Sequence, residues 1–154
     1  MDLIDRNILD LLQDDASLSI SEIAKKVCLS QTPCWKRIQK LENLGIIKGR
    51  VALLDNKKLN LGLTVFVQLK TDKHDEGWLT KFADAVKEMP EVVEVYRMAG
   101  EIDYLLRVVV SDTDSYDRFY KALIKKVPLN DVSSSFAMEE IKYTTALPIK
   151  VTNE

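Results

Sequence analysis

Two cysteines six residues apart, in the stretch Cys28-Leu29-Ser30-Gln31-Thr32-Pro33-Cys34, are the first candidates for chemistry in this chain. Thiolates at such spacing can bind zinc or close a disulfide. Zinc needs about four N/S ligands, however, and the only histidine is His74, in a polar stretch (Thr71 to Gly77) that reads as a surface loop. A disulfide is geometrically conceivable, but the chain reads as a cytoplasmic protein, where thiols stay reduced. Catalysis has equally little to work with. The acid pairs Asp14-Asp15 and Glu139-Glu140 are adjacent, so their carboxylates diverge on any regular element. No GxSxG, P-loop, HExxH or CxxC pattern occurs. The reading is a non-enzyme with no cofactor and no metal.

Cations around the cysteines offer a different chemistry. Residues 25–50 hold Lys25, Lys26, Lys36, Arg37, Lys40, Lys48 and Arg50 against a single acid, Glu42. From residue 61 onward acids outnumber cations, so a net charge of −2 conceals a basic island beside an acidic body. That division points to a polyanion-binding module joined to a second function.

The elements that would carry the island follow from periodicity. Ile4, Ile8, Leu11 and Leu12 form an apolar helical stripe, with Asp5, Asp10 and Asp14 off it. Ser19-Ile20-Ser21-Glu22 is a capping box that opens a second helix. Ser30 is an N-cap for a third, which runs to about Asn43 and stops before Gly45, with Pro33 in its first turn. On this third helix Cys34, Ile38 and Leu41 share one face, and Thr32, Lys36, Gln39 and Lys40 lie opposite, with Trp35 and Arg37 at the margins. Two short helices, a tight turn and a polar third helix describe a helix-turn-helix. Lys25, Lys26, Arg37 and Lys40 would then neutralise phosphates, while Ser30, Gln31, Thr32 and Lys36 approach the DNA, several of them within reach of base edges.

At 154 residues the chain fits one medium domain or two small ones, and 46% hydrophobic with 30% charged residues is an ordinary globular mixture. Its most apolar run, Tyr104 to Val110, is short and interrupted by Arg107, so no membrane span is expected. The opening MDLIDRNILD lacks the basic n-region of a signal peptide.

The run IDRNILDLLQDDASLSISEIAKKVCLSQTPCWKRIQKLENLGIIKGRVALLD resembles the N-terminal domain of the Lrp/AsnC family of transcription regulators. The resemblance implies that residues 21–43 hold the DNA-reading helix pair, and double-stranded DNA is the expected partner. Cys28 stands where that family more often has a turn glycine. If the turn needs positive φ, cysteine costs about 1 kcal/mol relative to glycine.

Beyond residue 50, Val51 to Leu54 read as a short strand and Asp55 to Gly62 as a hinge. Leu63 to Leu69 read as a strand, and Trp78, Phe82, Ala85, Val86 and Met89 follow helical spacing before Pro90. Val92 to Met98 and Tyr104 to Val110 are strands around a turn at Gly100. A helix carries Tyr116, Phe119, Tyr120, Leu123 and Ile124, and a long strand spans Val132 to Tyr143. The fold class is therefore α+β: a (winged) helix-turn-helix domain over 1–50, strand and hinge over 51–62, and a ferredoxin-like βαββαβ domain over 63–154. Strands apolar on both sides imply that the sheet face away from the helices is covered by a second copy of the chain.

The second half also resembles the Lrp/AsnC family, in MAGEIDYLLRV and EEIKYTTALPI. That resemblance implies homodimers assembling into octamers and a small effector, often an amino acid, bound near the glycine-acid turn. The expected site comprises Met98, Ala99, Gly100, Asp103 and Tyr104, with Ser133, Ser134 and Ser135 from a neighbouring subunit. Backbone N–H groups near Gly100 suit an α-carboxylate and Asp103 an α-ammonium. From the residues alone, a plain hairpin turn capped by Asp103 is the alternative. Two further readings stay open: a nucleoid-packing protein without effector, and a relative of the siroheme decarboxylases, for which His74 alone is a poor fit.

Overall fold

A computed structural model describes residues 1–73 and 75–149; His74 lies outside the described residues. The chain forms two compact units, one of Met1–Leu53 with the segment from Lys142, the other of Leu54–Ile141. The tail thus returns to the N-terminal unit instead of staying with residues 63–141. There Gln13 on the first helix donates Nε2–H to the Leu147 carbonyl (3.0 Å) and accepts the Leu147 N–H (2.9 Å).

In the N-terminal unit three helices follow in order: α1 (Leu3–Asp14), α2 (Ile20–Lys26) and α3 (Gln31–Asn43). The expected Ser19–Glu22 box starts α2, with the Glu22 N–H donating to Ser19 Oγ and the Ser19 N–H to Glu22 Oε2. Helix α1 carries the same device, built from Asp2 and Asp5. Ile8, Ile23, Cys34, Ile38 and Leu41 are almost wholly buried among the three helices. Five nearly fully buried side chains from three short helices provide the packing that propensity alone cannot.

The turn between α2 and α3 is a Schellman closure. The Leu29 N–H donates to the Ala24 carbonyl (2.9 Å), the Cys28 N–H to the Lys25 carbonyl (3.3 Å), and Cys28 has φ +56°. Helix α3 ends in the same way with Gly45 at φ +69°, so the chain places cysteine where its own second example places glycine. Cys28→Gly is expected to stabilise the protein by about 1 kcal/mol, seen as a higher denaturant midpoint. A lowered midpoint would mean that the thiol makes contacts worth more than the backbone strain.

In the second unit β1 (Leu63–Lys70), α4 (Glu76–Lys87), β2 (Val92–Arg97), β3 (Tyr104–Val110), α5 (Thr113–Lys126) and β4 (Asp131–Phe136) give the βαββαβ order. The sheet is antiparallel, ordered β2-β3-β1-β4. Alternation sends Val65, Val67, Leu69, Leu106 and Val108 into a core shared with Phe82 of α4 and Leu123 of α5. Trp78 stacks on Phe82 (centroids 5.1 Å apart) and donates its indole N–H to the Pro128 carbonyl (3.0 Å).

Two expected strands are corrected. Val51–Leu54 is not extended into a ladder, and Val51 is 79% exposed. A strand needs a partner for its backbone groups, and no described segment of this chain supplies one. The last strand stops at Phe136, not Tyr143. It pairs with β1 up to Val65↔Phe136, the Ala137 N–H reaches the Thr64 carbonyl (2.9 Å), and there β1 runs out. Beyond that point Met138 is 96% exposed.

Candidate nucleic-acid interface and effector turn

Lys25 and Lys26 form the last turn of α2, where their charge complements the carbonyl end of the helix. Gln31, Thr32, Lys36 and Lys40 lie on α3, and all six side chains are exposed. Ser30 occupies the N-cap position with extended backbone, yet its hydroxyl makes no capping bond. The N-caps of α1 and α2 bond the third N–H of their helices, and the third residue of α3 is Pro33, which has none. The exposed Ser30 hydroxyl and the uncapped N–H groups of the first turn therefore face outward together. That is the usual equipment of an anion-binding helix start.

Arg37 behaves differently from the other cations. Its Nη1 lies 2.7 Å from Asp2 Oδ2 and 2.7 Å from Asp5 Oδ1, and Asp5 is only 5% exposed. Hydrogen bonds to Asp5 and then Asp2 raise the guanidinium pKa. The Asp5 backbone N–H, followed by Arg37, lowers that of Asp2. Arg37 thus straps α3 to the start of α1, a geometry that sets it apart from the other expected phosphate contacts. Asp2 and Asp5 are the residues that the sequence reading missed. The D-x-x-D spacing ahead of the apolar stripe was the available signal, because an aspartate pair can make a capping box as Ser and Glu do.

Neither cysteine is in a disulfide: Cys28 is exposed and Cys34 buried, and burial raises the Cys34 pKa, which makes its thiol less reactive. Among the described residues no group of three or more His, Cys, Asp or Glu side chains is placed to hold a metal.

In the second unit Met98, Ala99 and Gly100 form an exposed turn, closed by the Met98 N–H donating to the Asp103 carbonyl (2.8 Å). Gly100 has φ +138°, a value that side chains rarely tolerate, so glycine is needed there for its backbone. Asp103 accepts the Thr71 N–H on Oδ2 (2.8 Å) and so pins the turn to the end of β1. The side chains of Tyr104 and Ser134 turn to the helix side of the sheet. The Tyr104 ring is 5% exposed and packs on Phe82 (4.7 Å) and Trp78, while the Ser134 hydroxyl bonds the Tyr116 hydroxyl on the helix side of the sheet. Ser133 and Ser135 point the other way, since three consecutive strand residues cannot share a face. That opposite face also carries Glu94 and Arg107, paired at 2.6 Å, with the Tyr96 hydroxyl donating to Glu94 (3.1 Å). The Arg107 bond lowers the Glu94 pKa. A groove of about 410 Å³ between the end of α5 and the start of β4 includes no residue of the 98–104 turn.

Two family models match successive stretches of the chain. A winged helix-turn-helix DNA-binding model matches residues 1–48, and the Lrp/AsnC ligand binding domain matches residues 64–147. The chain belongs to the Lrp/AsnC family. Like other Lrp/AsnC members it is a DNA-binding transcription regulator with a ligand-binding domain. It is 56% identical over 151 residues to the DNA-binding transcriptional activator DecR of Escherichia coli K12, an alignment spanning 97% of this chain and 99% of DecR. The crystal structure of an AsnC family transcriptional regulator from Agrobacterium tumefaciens superposes with a TM-score of 0.94 at 58% identity, covering 97% of each chain. The regulator NMB0573 of Neisseria meningitidis, solved as an L-Met complex, gives 0.92 at 35% identity, again over 97% of each chain.

For this Lrp/AsnC regulator the Arg37 strap makes a sharp prediction. Arg37→Ala is expected to lower the unfolding temperature, because the Asp5 carboxylate stays buried after losing its charged partner. The slope of log affinity against log salt on duplex DNA should stay unchanged. A slope reduced by about one charge would return Arg37 to the phosphate contacts.

Proposed function

We propose that this regulator reads specific DNA sites with the outer face of α3, using Ser30, Gln31, Thr32 and Lys36, while Lys25, Lys26 and Lys40 hold phosphates. The observation that carries the reading is the division of α3 itself. Cys34, Ile38 and Leu41 are buried to within 2% of completely, and apart from Pro33 and Trp35 the exposed side chains of the helix are cationic or hydrogen-bonding. Domain boundaries near 50 and 62, a cytoplasmic location and the absence of catalysis belong to the same proposal.

The second unit senses an amino acid at the turn of Met98, Ala99, Gly100 and Asp103, with Ser133 and Ser135 contributed by another copy. Asp103 spends one oxygen on Thr71, which leaves the second for an α-ammonium; N–H groups beside Gly100 meet the α-carboxylate. In a single chain this turn is open, and both the sheet face opposite the helices and the segments 51–54 and 138–143 expose apolar side chains. These surfaces support a homodimer, and assembly to an octamer would complete a site shared between copies. The L-Met complex of the neisserial regulator supports an amino acid as the ligand class.

Calorimetric titration of the proteinogenic amino acids, methionine first, into the full-length protein tests the effector. A binding isotherm that disappears in Gly100→Thr or Asp103→Asn supports it. No heat with any amino acid, alongside intact DNA binding, would favour the architectural reading without effector. A Soret shift on mixing with siroheme would instead favour the enzyme reading.

A further inference from the structure

Helix α3 carries one large apolar side chain that the core does not use. Trp35 is 50% exposed, whereas its neighbours Cys34 and Ile38 are at 0% and 1%. Among the described residues its indole makes no hydrogen bond and no ring contact. The other tryptophan, Trp78, is stacked, hydrogen-bonded and 5% exposed, so the two indoles have opposite fates. An exposed indole presents a large, flat apolar face to whatever binds α3.

Position on the helix indicates what binds there. Trp35 is one turn beyond Gln31 and one turn before Gln39, and lies about 60° around the helix from Thr32, at 3.6 residues per turn. Lys36 and Lys40 form the cationic flank of the same surface, with Lys25 and Lys26 at the end of α2. A surface of this charge meets a polyanion before it meets a second acidic chain, and the net charge of this protein is −2. On the floor of a major groove the apolar feature is the thymine C5-methyl group. We propose that Trp35 is a specificity-determining residue that reads thymine methyl groups by apolar contact beside the polar contacts of Thr32 and Lys36. The inference rests on the DNA-reading role of α3.

The probe is a duplex enriched by the full-length protein from a randomised pool. Each thymine in it is replaced singly by deoxyuridine, which keeps every hydrogen-bonding group and removes only the methyl. At discrete positions in each half-site the wild-type protein should lose about fourfold in affinity per methyl. Trp35→Gln should bind the thymine duplex more weakly and be indifferent to the replacement at those positions, with an unchanged salt slope. Wild-type binding insensitive to every replacement, or the same sensitivity in Trp35→Gln, would overturn the assignment. So would enriched duplexes that carry no thymine in the half-sites, because DNA reading would stand while methyl reading failed. Failure to enrich any sequence would overturn the DNA-reading role together with it. If Trp35→Gln instead changed the oligomer distribution at constant methyl sensitivity, Trp35 would face a second copy of the chain.

Discussion

Affinity for a fixed duplex will fall by about four orders of magnitude between roughly 50 and 200 mM salt if two chains grip the DNA together. Lys25, Lys26 and Lys40 on phosphates, and Lys36 counted at a phosphate flanking the base it reads, are the exposed cations of the interface, and each phosphate neutralised releases about 0.9 of a counterion. Four contacts from one chain give a log–log slope of about −4, and a two-fold pair doubles it to about −7. Fluorescence anisotropy on a labelled duplex over that salt range distinguishes the two. A slope near −4 would mean one engaged chain. A flat line would remove all four lysines from the interface, and the basic island would be only a solvated surface. Arg37 is left out of the sum because Asp2 and Asp5 already neutralise it. Including it would steepen the expected slope for a dimer by nearly two.

That exclusion marks where the sequence is and is not legible. Helix starts such as Ser19–Glu22 are readable because the cap and its partner are three residues apart and their types are diagnostic. The Arg37 strap joins residues 35 and 32 positions apart, and nothing local in WKRIQK separates an arginine that ties helices from one that touches phosphate. The same limit applies to strand ends. Apolar, β-branched runs located β1 and β3, but β4 stops where β1 stops, which is a property of a segment some seventy residues earlier. Within the candidate effector site, the period of two already forbade Ser133, Ser134 and Ser135 from acting together. Tyr104 went inward for the same reason, as the first residue of a strand whose even-numbered positions all face the helices. At Cys28 the resemblance raised a left-handed turn only as a condition, through the glycine more frequent there in the family, and the φ of +56° meets that condition.

Substitutions on the outer face of α3 should separate recognition from attraction. Thr32→Ala and Lys36→Ala each remove one group able to reach a base edge, and a good base contact is worth about 1–3 kcal/mol of discrimination. Each variant should therefore lose roughly five- to hundredfold on an enriched site, and far less on random duplex of equal length. The two will differ in a second respect. Lys36→Ala also deletes a charge, so it should flatten the salt slope if the ammonium lies against a phosphate, whereas Thr32→Ala should leave the slope untouched. Both side chains are exposed and neither belongs to the Ile38 and Leu41 core, so thermal stability and oligomer size should stay at wild-type values. Equal loss on specific and random DNA would reassign Lys36 to positioning, and sequence reading would then rest on Gln31, Thr32 and Trp35. Loss confined to the enriched site, with the slope preserved in both variants, would place the Lys36 ammonium on a base edge. Since Lys36 lies one turn from Thr32 on the same face, a Thr32→Ala/Lys36→Ala pair that falls short of additivity would show the two groups sharing a base step.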